Sequence, residues 1–326
     1  MMPNANEKVM MLEEAIRRFV KDGCHLSIGG FTINRNPMAA VYEIIRQKIR
    51  HLHVYAHSNG QGVDELIGGG CVDRLEIAYC GSGIFAPTCV RFSRAVTEGN
   101  ILVEDYSNYQ MTLRFAAGAM GVPFLPTRSS LATDIIAKWG FSEEQRKEDD
   151  RLPNKKMCVV KNPFDRWADC DRVVLVPAIN PDVTIIHVQT ADVLGTSRIS
   201  GLTFADVEQA KSAKYLIITC ERLVAADALK DNPDHNHIPF FNVDAVVHVP
   251  YGAYPTACYK HYDYDPVYLK NYKNVSKDDE LYREYLEEYV YGVKDQAAFL
   301  SKIGADRLER IKADPVTGYA RNLERI

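Results

Sequence analysis

Hydrophobic and polar positions along the chain follow the period of a helix in some segments and the pattern of a buried strand in others, and the two kinds of segment alternate. Apolar residues from Val9 to Val20 recur at helical spacing, which predicts an amphipathic helix over residues 9–22. Asp22-Gly23 ends this helix, and the apolar run "CHLSIGG" that follows is typical of a buried strand entering glycines. Pro37 then opens a second predicted helix, "PMAAVYEIIRQKI".

The same exchange of strand and helix continues through most of the chain. Further strands are predicted in "LHVYAHSNG", "VDRLEIAYCGSG", "NILVEDYSN", "VPFLP", "DRVVLVPAI", "DVTIIHVQTAD", "AKYLIITCERL" and "VDAVVHVPYGAYP". Helical segments between the earlier strands are "VDELIGGG", "PTCVRFSRAVTEG" and "YQMTLRFAAGAMG". This alternation predicts an α/β fold with an open, mostly parallel sheet and helices on both faces.

Two stretches depart from this pattern. Residues 138–170 are charged and weakly patterned, which favours a surface excursion or lid within an α/β domain spanning residues 1–260. Residues 261–326 are polar, helical and rich in tyrosine. We expect them to form a C-terminal helical arm that packs on the body or on a neighbouring subunit.

The first strands end in loops that contain glycine, serine or asparagine. These loops are Gly29-Gly30-Phe31, Ser58-Asn59-Gly60, Gly81-Ser82-Gly83 and Ser107-Asn108. Because ligands bind at the carboxyl edge of open parallel sheets, we expect the four loops to share one ligand-binding edge.

Composition narrows the class of protein. A net charge of −4 gives no reason to expect nucleic acid or an anionic membrane as a partner. The start of the chain lacks the apolar core of a signal peptide, and no apolar run approaches the roughly 18 residues of a membrane span. The eight cysteines, which include Cys170, have no C-x-x-C spacing and predict reduced, mostly buried thiols. We therefore expect a cytoplasmic protein. His235 and His237 lie in a polar loop, so a metal site is not expected.

Individual motifs leave the chemistry open. The segment after Gly29-Gly30 lacks the third glycine of a dinucleotide loop, which disfavours a nicotinamide or ATP enzyme. Ser58 has no preceding glycine and no obvious base, which disfavours a serine hydrolase. Arg35 lies directly before a helix start, where it could bind a carboxylate or phosphate, or equally pair with an acidic residue of the protein.

Taken together, the segments resemble the A (α) subunit of family I CoA-transferases, with glutaconate CoA-transferase A subunits as the most similar branch. The resemblance covers nearly the whole chain. It is carried by "GGFTINRNPMAAVYEIIRQ", "LIGGGCVDRLEIAYCG", "VEDYSNYQMTLRFAAGAMGVPFLP", "KNPF", "PDVTIIHVQTAD", "GTSRI" and "VDAVVHVPYGAYPTACY" followed by "HYDYD". It implies an open, mostly parallel α/β fold, as the alternation also predicts.

The resemblance further implies an active site split between two chains. In this family the acyl-CoA is attacked by a glutamate of a B subunit, giving a mixed anhydride and then a transient enzyme CoA thioester. That glutamate stands in a Ser-Glu-Asn-Gly-type turn, whereas "HSNG" here carries Ser58 in place of a carboxylate. CoA is therefore a substrate, and no permanently bound cofactor is expected.

The same resemblance assigns roles on this chain's side of the site. Matching from Val103 to Pro123 places Asn108 where relatives carry a glutamine that holds the thioester oxyanion, with Gln110 in reserve. Arg35 is our candidate for the distal carboxylate of a small dicarboxylic acid. Substrate and CoA are expected at the loops around these residues, namely Gly29, Gly30, Phe31, Ser58, Asn59, Gly60 and Gly81.

Two other functions remain open at this stage. One is a subunit of a same-fold acyl-CoA decarboxylase or of a hydrolase that opens a ring of a steroid-derived CoA ester. The hydrolase branch has an acidic group where this chain has Asn108, which disfavours it. The other is a non-catalytic scaffold subunit, which the missing nucleophile cannot distinguish from a transferase.

Overall fold

The computed structural model describes residues 7–164, 171–321 and 323. Its α-helices are α1 (Leu12–Phe19), α2 (Met38–Arg46), α3 (Gln61–Gly68), α4 (Val90–Glu98), α5 (Asn108–Met120), α6 (Glu143–Lys147), α7 (Asp206–Ser212), α8 (Pro266–Val275), α9 (Asp279–Leu286), α10 (Gln296–Ile303) and α11 (Ala305–Ile311). Its strands are β1 (His25–Ile28), β2 (Leu52–Asn59), β3 (Val72–Cys80), β4 (Leu102–Asp105), β5 (Phe124–Thr127), β6 (Cys158–Lys161), β7 (Arg172–Pro177), β8 (Val183–Asp192), β9 (Ser197–Arg198), β10 (Tyr215–Val224) and β11 (Ala245–His248).

The main sheet is open and almost entirely parallel. Its strand order is β11-β10-β8-β1-β2-β3-β4, every neighbouring pair in that path runs parallel, and only the short β9 pairs with β8 in the antiparallel sense. Strands β1 and β8 are buried at every residue, as is typical of parallel strands that are covered on both faces. The predicted α/β fold with an open, mostly parallel sheet is confirmed.

Alternate residues of β2 show how the two faces are filled. Val54 and Ala56 belong to a large core shared with α1, α2 and α3, whereas Tyr55 belongs to a second core with Phe115 of α5. Successive residues of a strand point to opposite faces, so these two cores lie on opposite sides of the sheet.

A second, smaller sheet corrects one prediction made from the sequence. The run "DRVVLVPAI" forms β7, which does not return to the main sheet but lies between β5 and β6 with antiparallel pairing on both sides. The predicted surface excursion over residues 138–170 contains α6 and β6. Its last part, residues 165–170 with Cys170, lies outside the described residues.

The C-terminal arm, helices α8 to α11, packs closely on α2 and α3 of the body. The buried side chains that it brings to this contact are Tyr268, Tyr272, Tyr282, Tyr285 and Phe299. The contact is so close at Gly68 that a Cβ atom there would lie 2.2 Å from the hydroxyl of Tyr282. Tyr282 therefore fits against the body only because position 68 is a glycine.

Two carboxylic acids of α3 are enclosed in this contact. Glu65 accepts hydrogen bonds from the hydroxyl of Tyr285 at 2.7 Å and from the amide of Gln61 at 2.8 Å. Asp64 accepts one from the hydroxyl of Tyr272 at 2.9 Å. Burial raises the pKa of Glu65 to about 8 and that of Asp64 to about 6. Glu65 is therefore largely protonated at neutral pH in the folded chain.

The described cysteines are all free thiols, and all but the half-buried Cys158 are buried, in agreement with the reduced state expected from their spacing. Over the described ranges, none of the helices combines the length and apolarity that crossing a bilayer requires.

Candidate functional site

The carboxyl ends of β1 and β2 are joined backbone to backbone. The amide of Thr32, in the loop after β1, donates to the carbonyl of Ser58 at 2.9 Å, and the amide of Gly60 donates to the carbonyl of Thr32 at 3.1 Å. Since β2 and β3 are parallel neighbours, the loop at Gly81 follows on the same edge. The structure thus brings together the loops that the strand alternation placed on one edge.

Ser58 and Asn108 meet at this edge. Asn108 is the first residue of α5 and is exposed, and its side-chain Oδ1 accepts a hydrogen bond from Ser58 Oγ. No hydrogen bond from Asn108 Nδ2 is found among the described residues. The bond from Ser58 therefore fixes the amide plane and leaves the Nδ2 hydrogens available to a ligand.

His57, the residue before Ser58, also contacts the start of α5. Its Nε2 donates to the backbone carbonyl of Asn108 at 3.0 Å. Burial lowers the pKa of His57, so that the ring is neutral at neutral pH. Because the Ser58 hydroxyl donates its hydrogen to Asn108 Oδ1 and not to His57, His57 does not serve Ser58 as the base that a hydrolase nucleophile needs.

The Asn59-Gly60 turn is rigid for two reasons. Asn59 donates from Nδ2 to the carbonyl of Gly29 at 3.0 Å and accepts from the amide of Val63 at 3.1 Å, which ties β1, β2 and α3 together. At Gly60 a Cβ atom would lie only 2.5 Å from the carbonyl oxygen of Gly81. The turns after β2 and β3 can touch in this way only with glycine at position 60.

The Gly29-Gly30 loop is supported by Asp206, the first residue of α7. Gly30 has a φ of +87°, a conformation that favours glycine, and its amide donates to Asp206 Oδ1 at 2.9 Å. A Cβ atom at Gly29 would lie 2.5 Å from Ile186. Asp206 could not be identified from the sequence, because nothing near it in the chain marks it as a partner of this loop.

Arg35 does not lie where an exposed carboxylate ligand would. It is 3% exposed, its guanidinium forms an ion pair with Asp206 at 2.8 Å, and it donates to the carbonyls of His187 and Leu202. An internal carboxylate thus already pairs with the guanidinium, which braces the loop from below, and the distal-carboxylate role of Arg35 stays a prediction.

Gln110 is also internal. It is completely buried, its Oε1 accepts from the amide of Ser107 at 2.9 Å, and its Nε2 donates to the carbonyl of Ser129 at 3.3 Å. Together with Ser107 it forms a capping box at the start of α5. This structural role does not support Gln110 as the reserve oxyanion donor, which stays a prediction, and the Ser-x-x-Gln spacing is the signal of the capping box in the sequence.

Phe31 forms an aromatic wall beside the Ser58–Asn108 pair. Its ring stacks on Phe204 with centroids 4.7 Å apart and lies 5.6 Å from the ring of His57. Beyond Phe204 and Arg35 lies a cavity of about 480 Å³, which Ser200 and Tyr259 also line. The edge therefore combines a free amide donor, a hydroxyl and an apolar wall.

Comparisons with known proteins fit this arrangement. The family model described as Coenzyme A transferase matches residues 9–249. The A chain of glutaconate CoA-transferase from Acidaminococcus fermentans is 40% identical over 312 residues, which span 96% of this chain and 97% of that protein. The corresponding chain of 3-oxoadipate CoA-transferase from Pseudomonas knackmussii is 31% identical over 304 residues, with 91% and 98% of the two chains covered.

Similarity extends to three dimensions. The crystal structure of glutaconate coenzyme A-transferase from Acidaminococcus fermentans superposes with a TM-score of 0.92 at 40% identity, covering 97% of this chain and 98% of that chain. The open sheet, the small antiparallel sheet and the C-terminal helices described above are therefore an arrangement that a solved CoA-transferase structure shares across almost its whole length.

Proposed function

The chain belongs to the Coenzyme A transferase family, in which it is the first (α) of two kinds of subunit, and we propose that it serves the transfer of CoA between an acyl-CoA and a small dicarboxylic acid of the glutaconate type. The names of the two related transferases reported above support the substrate class, since glutaconate and 3-oxoadipate are both short dicarboxylates. The greater identity to the former favours the glutaconate type.

The observation that carries the proposal is the Ser58–Asn108 pair. An amide donor with free Nδ2 hydrogens suits the oxygen of a thioester, which gains negative charge when the carbonyl is attacked. The side chains around it, Phe31, His57 and Ser58, include no carboxylate. A carboxylate nucleophile is needed to form an anhydride of high transfer potential. We therefore assign the nucleophilic glutamate to a B subunit.

Each residue of this chain then has a limited task. Asn108 donates to the thioester oxygen, and Ser58 orients its amide. The Gly29-Gly30-Phe31 loop and the Asn59-Gly60 turn form the floor under the reacting atoms, with Gly81 packed behind the turn. Arg35 and Asp206 hold that floor in place as positioning residues.

We propose that the dicarboxylate itself binds beside the Phe31–Phe204 stack. The cavity of about 480 Å³ behind this stack is large enough for a short acyl chain, and Ser200 and Tyr259 line it with hydroxyl-bearing side chains. A second carboxylate can accept hydrogen bonds from such hydroxyls, whereas the methyl end of a monocarboxylic chain cannot. This difference favours acids that carry a second carboxylate.

The test is acyl exchange with and without a partner. We expect the purified chain to show no exchange between an acyl-CoA and glutaconate, and co-expression with a B subunit to establish it. The control is the isolated B subunit. Transfer by the single chain would contradict the split site, CO₂ release or free CoA without transfer would favour the decarboxylase or hydrolase, and a complex without activity would favour the scaffold.

A further inference from the structure

A second group of polar side chains lies at the opposite, amino-terminal edge of the sheet. His25 of β1 and His53 of β2 are register partners, with ring centroids 4.4 Å apart. Asp149, in the loop after α6, reaches the same place, and one ligand atom of each residue lies within 4.8 Å of the other two. These three residues line a cavity of about 460 Å³.

His53 has the protonation pattern of a metal ligand. Its Nε2 donates to the carboxylate of Glu76 at 2.9 Å, so its Nδ1 carries a lone pair. That Nδ1 is buried and has no hydrogen-bond partner within the described chain, and the whole His53 side chain is only 3% exposed. An unused acceptor in such a place costs free energy unless a ligand uses it. A carboxylate behind a ligating imidazole is the usual support of a metal-bound histidine.

His25 is supported in a similar way. Its Nε2 lies 3.0 Å from Asp149 Oδ2, and its Nδ1 lies 2.7 Å from the hydroxyl of Tyr55. A cation between His25 and Asp149 would replace the hydrogen on Nε2, which moves to Nδ1 and is then donated to the Tyr55 oxygen. Only the tautomer changes, so no proton has to leave the buried ring.

Two guanidinium groups compete for Asp149, and each has another carboxylate to turn to. Arg151 contacts Asp149 at 3.0 Å but also pairs with Asp182 at 3.0 Å. Arg74 contacts Asp149 at 3.4 Å and Glu148 at 3.3 Å. Asp149 can therefore exchange a guanidinium for a cation without leaving either arginine unpaired.

We propose that His25, His53 and Asp149 form a binding site for a divalent cation of the Zn²⁺ type. Two imidazole nitrogens and one carboxylate oxygen are ligands that Zn²⁺ prefers, and the cavity leaves room for water as the fourth. Tetrahedral coordination needs these atoms roughly 3.3 Å apart, and His25 Nε2 and Asp149 Oδ2 already lie 3.0 Å apart. The site lies at the edge opposite the Ser58–Asn108 pair and is independent of the proposed function.

The test is metal binding by the full chain after treatment with a chelator. Titration calorimetry with Zn²⁺ is expected to show one site per chain, and Co²⁺ to give the visible absorption of a tetrahedral site. Mg²⁺ is expected not to compete, because it prefers oxygen ligands. Anomalous scattering at the zinc edge locates the ion without any variant. No Zn²⁺ binding, or an ion bound elsewhere, would overturn the proposal.

Variants assign the ligands. His53→Gln is expected to weaken Zn²⁺ binding by about a hundredfold or more, and Tyr55→Phe, which keeps the fold but removes the support of His25, by about tenfold. His51→Gln is the matched control, since His51 is an exposed histidine at the mouth of the same cavity. Unchanged affinity in both His53→Gln and Tyr55→Phe would overturn the site.

Discussion

The first turn of α3 lies beside the Ser58–Asn108 pair, where an exposed amide keeps its donor hydrogens free. Within the same helix, Asp64 and Glu65 are sealed under the tyrosines of the C-terminal arm. The two regions are neighbours along the chain, since Ser58 lies in β2 and α3 begins three residues later, at Gln61. They nevertheless use polar groups in opposite ways, since the first leaves hydrogen bonds unmade and the second makes nearly all of them.

The difference separates the groups that serve binding from those that serve stability. A free donor at an exposed edge costs little, because water satisfies it until a substrate arrives. A buried carboxyl group must be satisfied by protein groups or by a proton. Substitutions at the edge should therefore change turnover and leave stability alone, and substitutions under the arm should do the reverse.

The largest expected effect is on turnover. With the B subunit present, Asn108→Ala is expected to lower kcat by about tenfold to a thousandfold, because one donor to the oxyanion is lost. The melting temperature should fall only slightly, since Asn108 is exposed and the hydrogen bond that is lost is the one from Ser58. Steady-state acyl exchange and thermal melting measure the two sides of the comparison.

Two matched variants make this result specific. Asn108→Gln keeps an amide donor and should retain most of the turnover. Ser58→Ala keeps the donor but frees its orientation, so a loss of about tenfold or less is expected, in line with one lost hydrogen bond. A kcat unchanged by Asn108→Ala would remove this residue from the site.

The next effect is on the pH dependence of stability. The folded chain holds a proton on Glu65 up to about pH 8, whereas the unfolded chain releases it near pH 4.5. The folded state therefore binds more protons in this window, and stability is lost as the pH rises through it. The free energy of unfolding should fall by up to about 1.4 kcal/mol per pH unit.

Glu65→Gln tests this dependence, because glutamine has the shape of the protonated acid and does not titrate. Urea unfolding at pH 5, 6, 7 and 8 should show a flatter profile for the variant, with the gain over the wild type largest at pH 8. Asp64, whose pKa is raised to about 6, adds to the fall below pH 6, and His25, whose pKa burial lowers to about 4, opposes it there. Parallel profiles for both proteins would contradict the proton on Glu65.

The smallest effect concerns a single hydroxyl. Tyr285→Phe removes the bonds to Glu65 and to the hydroxyl of Tyr268, at 2.7 and 2.8 Å, and should cost about 1–2 kcal/mol of unfolding free energy. The kcat of the complex should not change. Tyr215→Phe, at an exposed tyrosine outside this cluster and away from the proposed substrate cavity, is the control for the loss of a hydroxyl as such. A changed kcat with unchanged stability would reverse the comparison.

Much of the edge could be predicted from the sequence. Strand and helix alternate so regularly that the ends of β1, β2 and β3 had to meet on one side of a parallel sheet. The approach of the Asn59-Gly60 turn to Gly81 follows from the same order. These features depend on neighbours in the chain, which is what periodicity reports.

Contacts between distant segments could not be predicted in this way. The partner of Arg35 is Asp206, on a helix far along the chain, and nothing in the residues around Arg35 favoured an internal carboxylate over a substrate. The apolar pattern of the run that forms β7 would be the same for a parallel and for an antiparallel strand. The sequence therefore did not show that β7 belongs to the small antiparallel sheet. His25 and His53 likewise meet only through strand register.

The close fit of Tyr282 against Gly68 has a consequence for the synthesis of the protein. The arm is translated after the body that receives it, and at about 5–20 residues per second the arm takes a few seconds to follow. During that interval Glu65 faces water and is ionised at neutral pH. Closing the arm over Glu65 therefore draws a proton from the solvent, and an alkaline medium would weaken this contact.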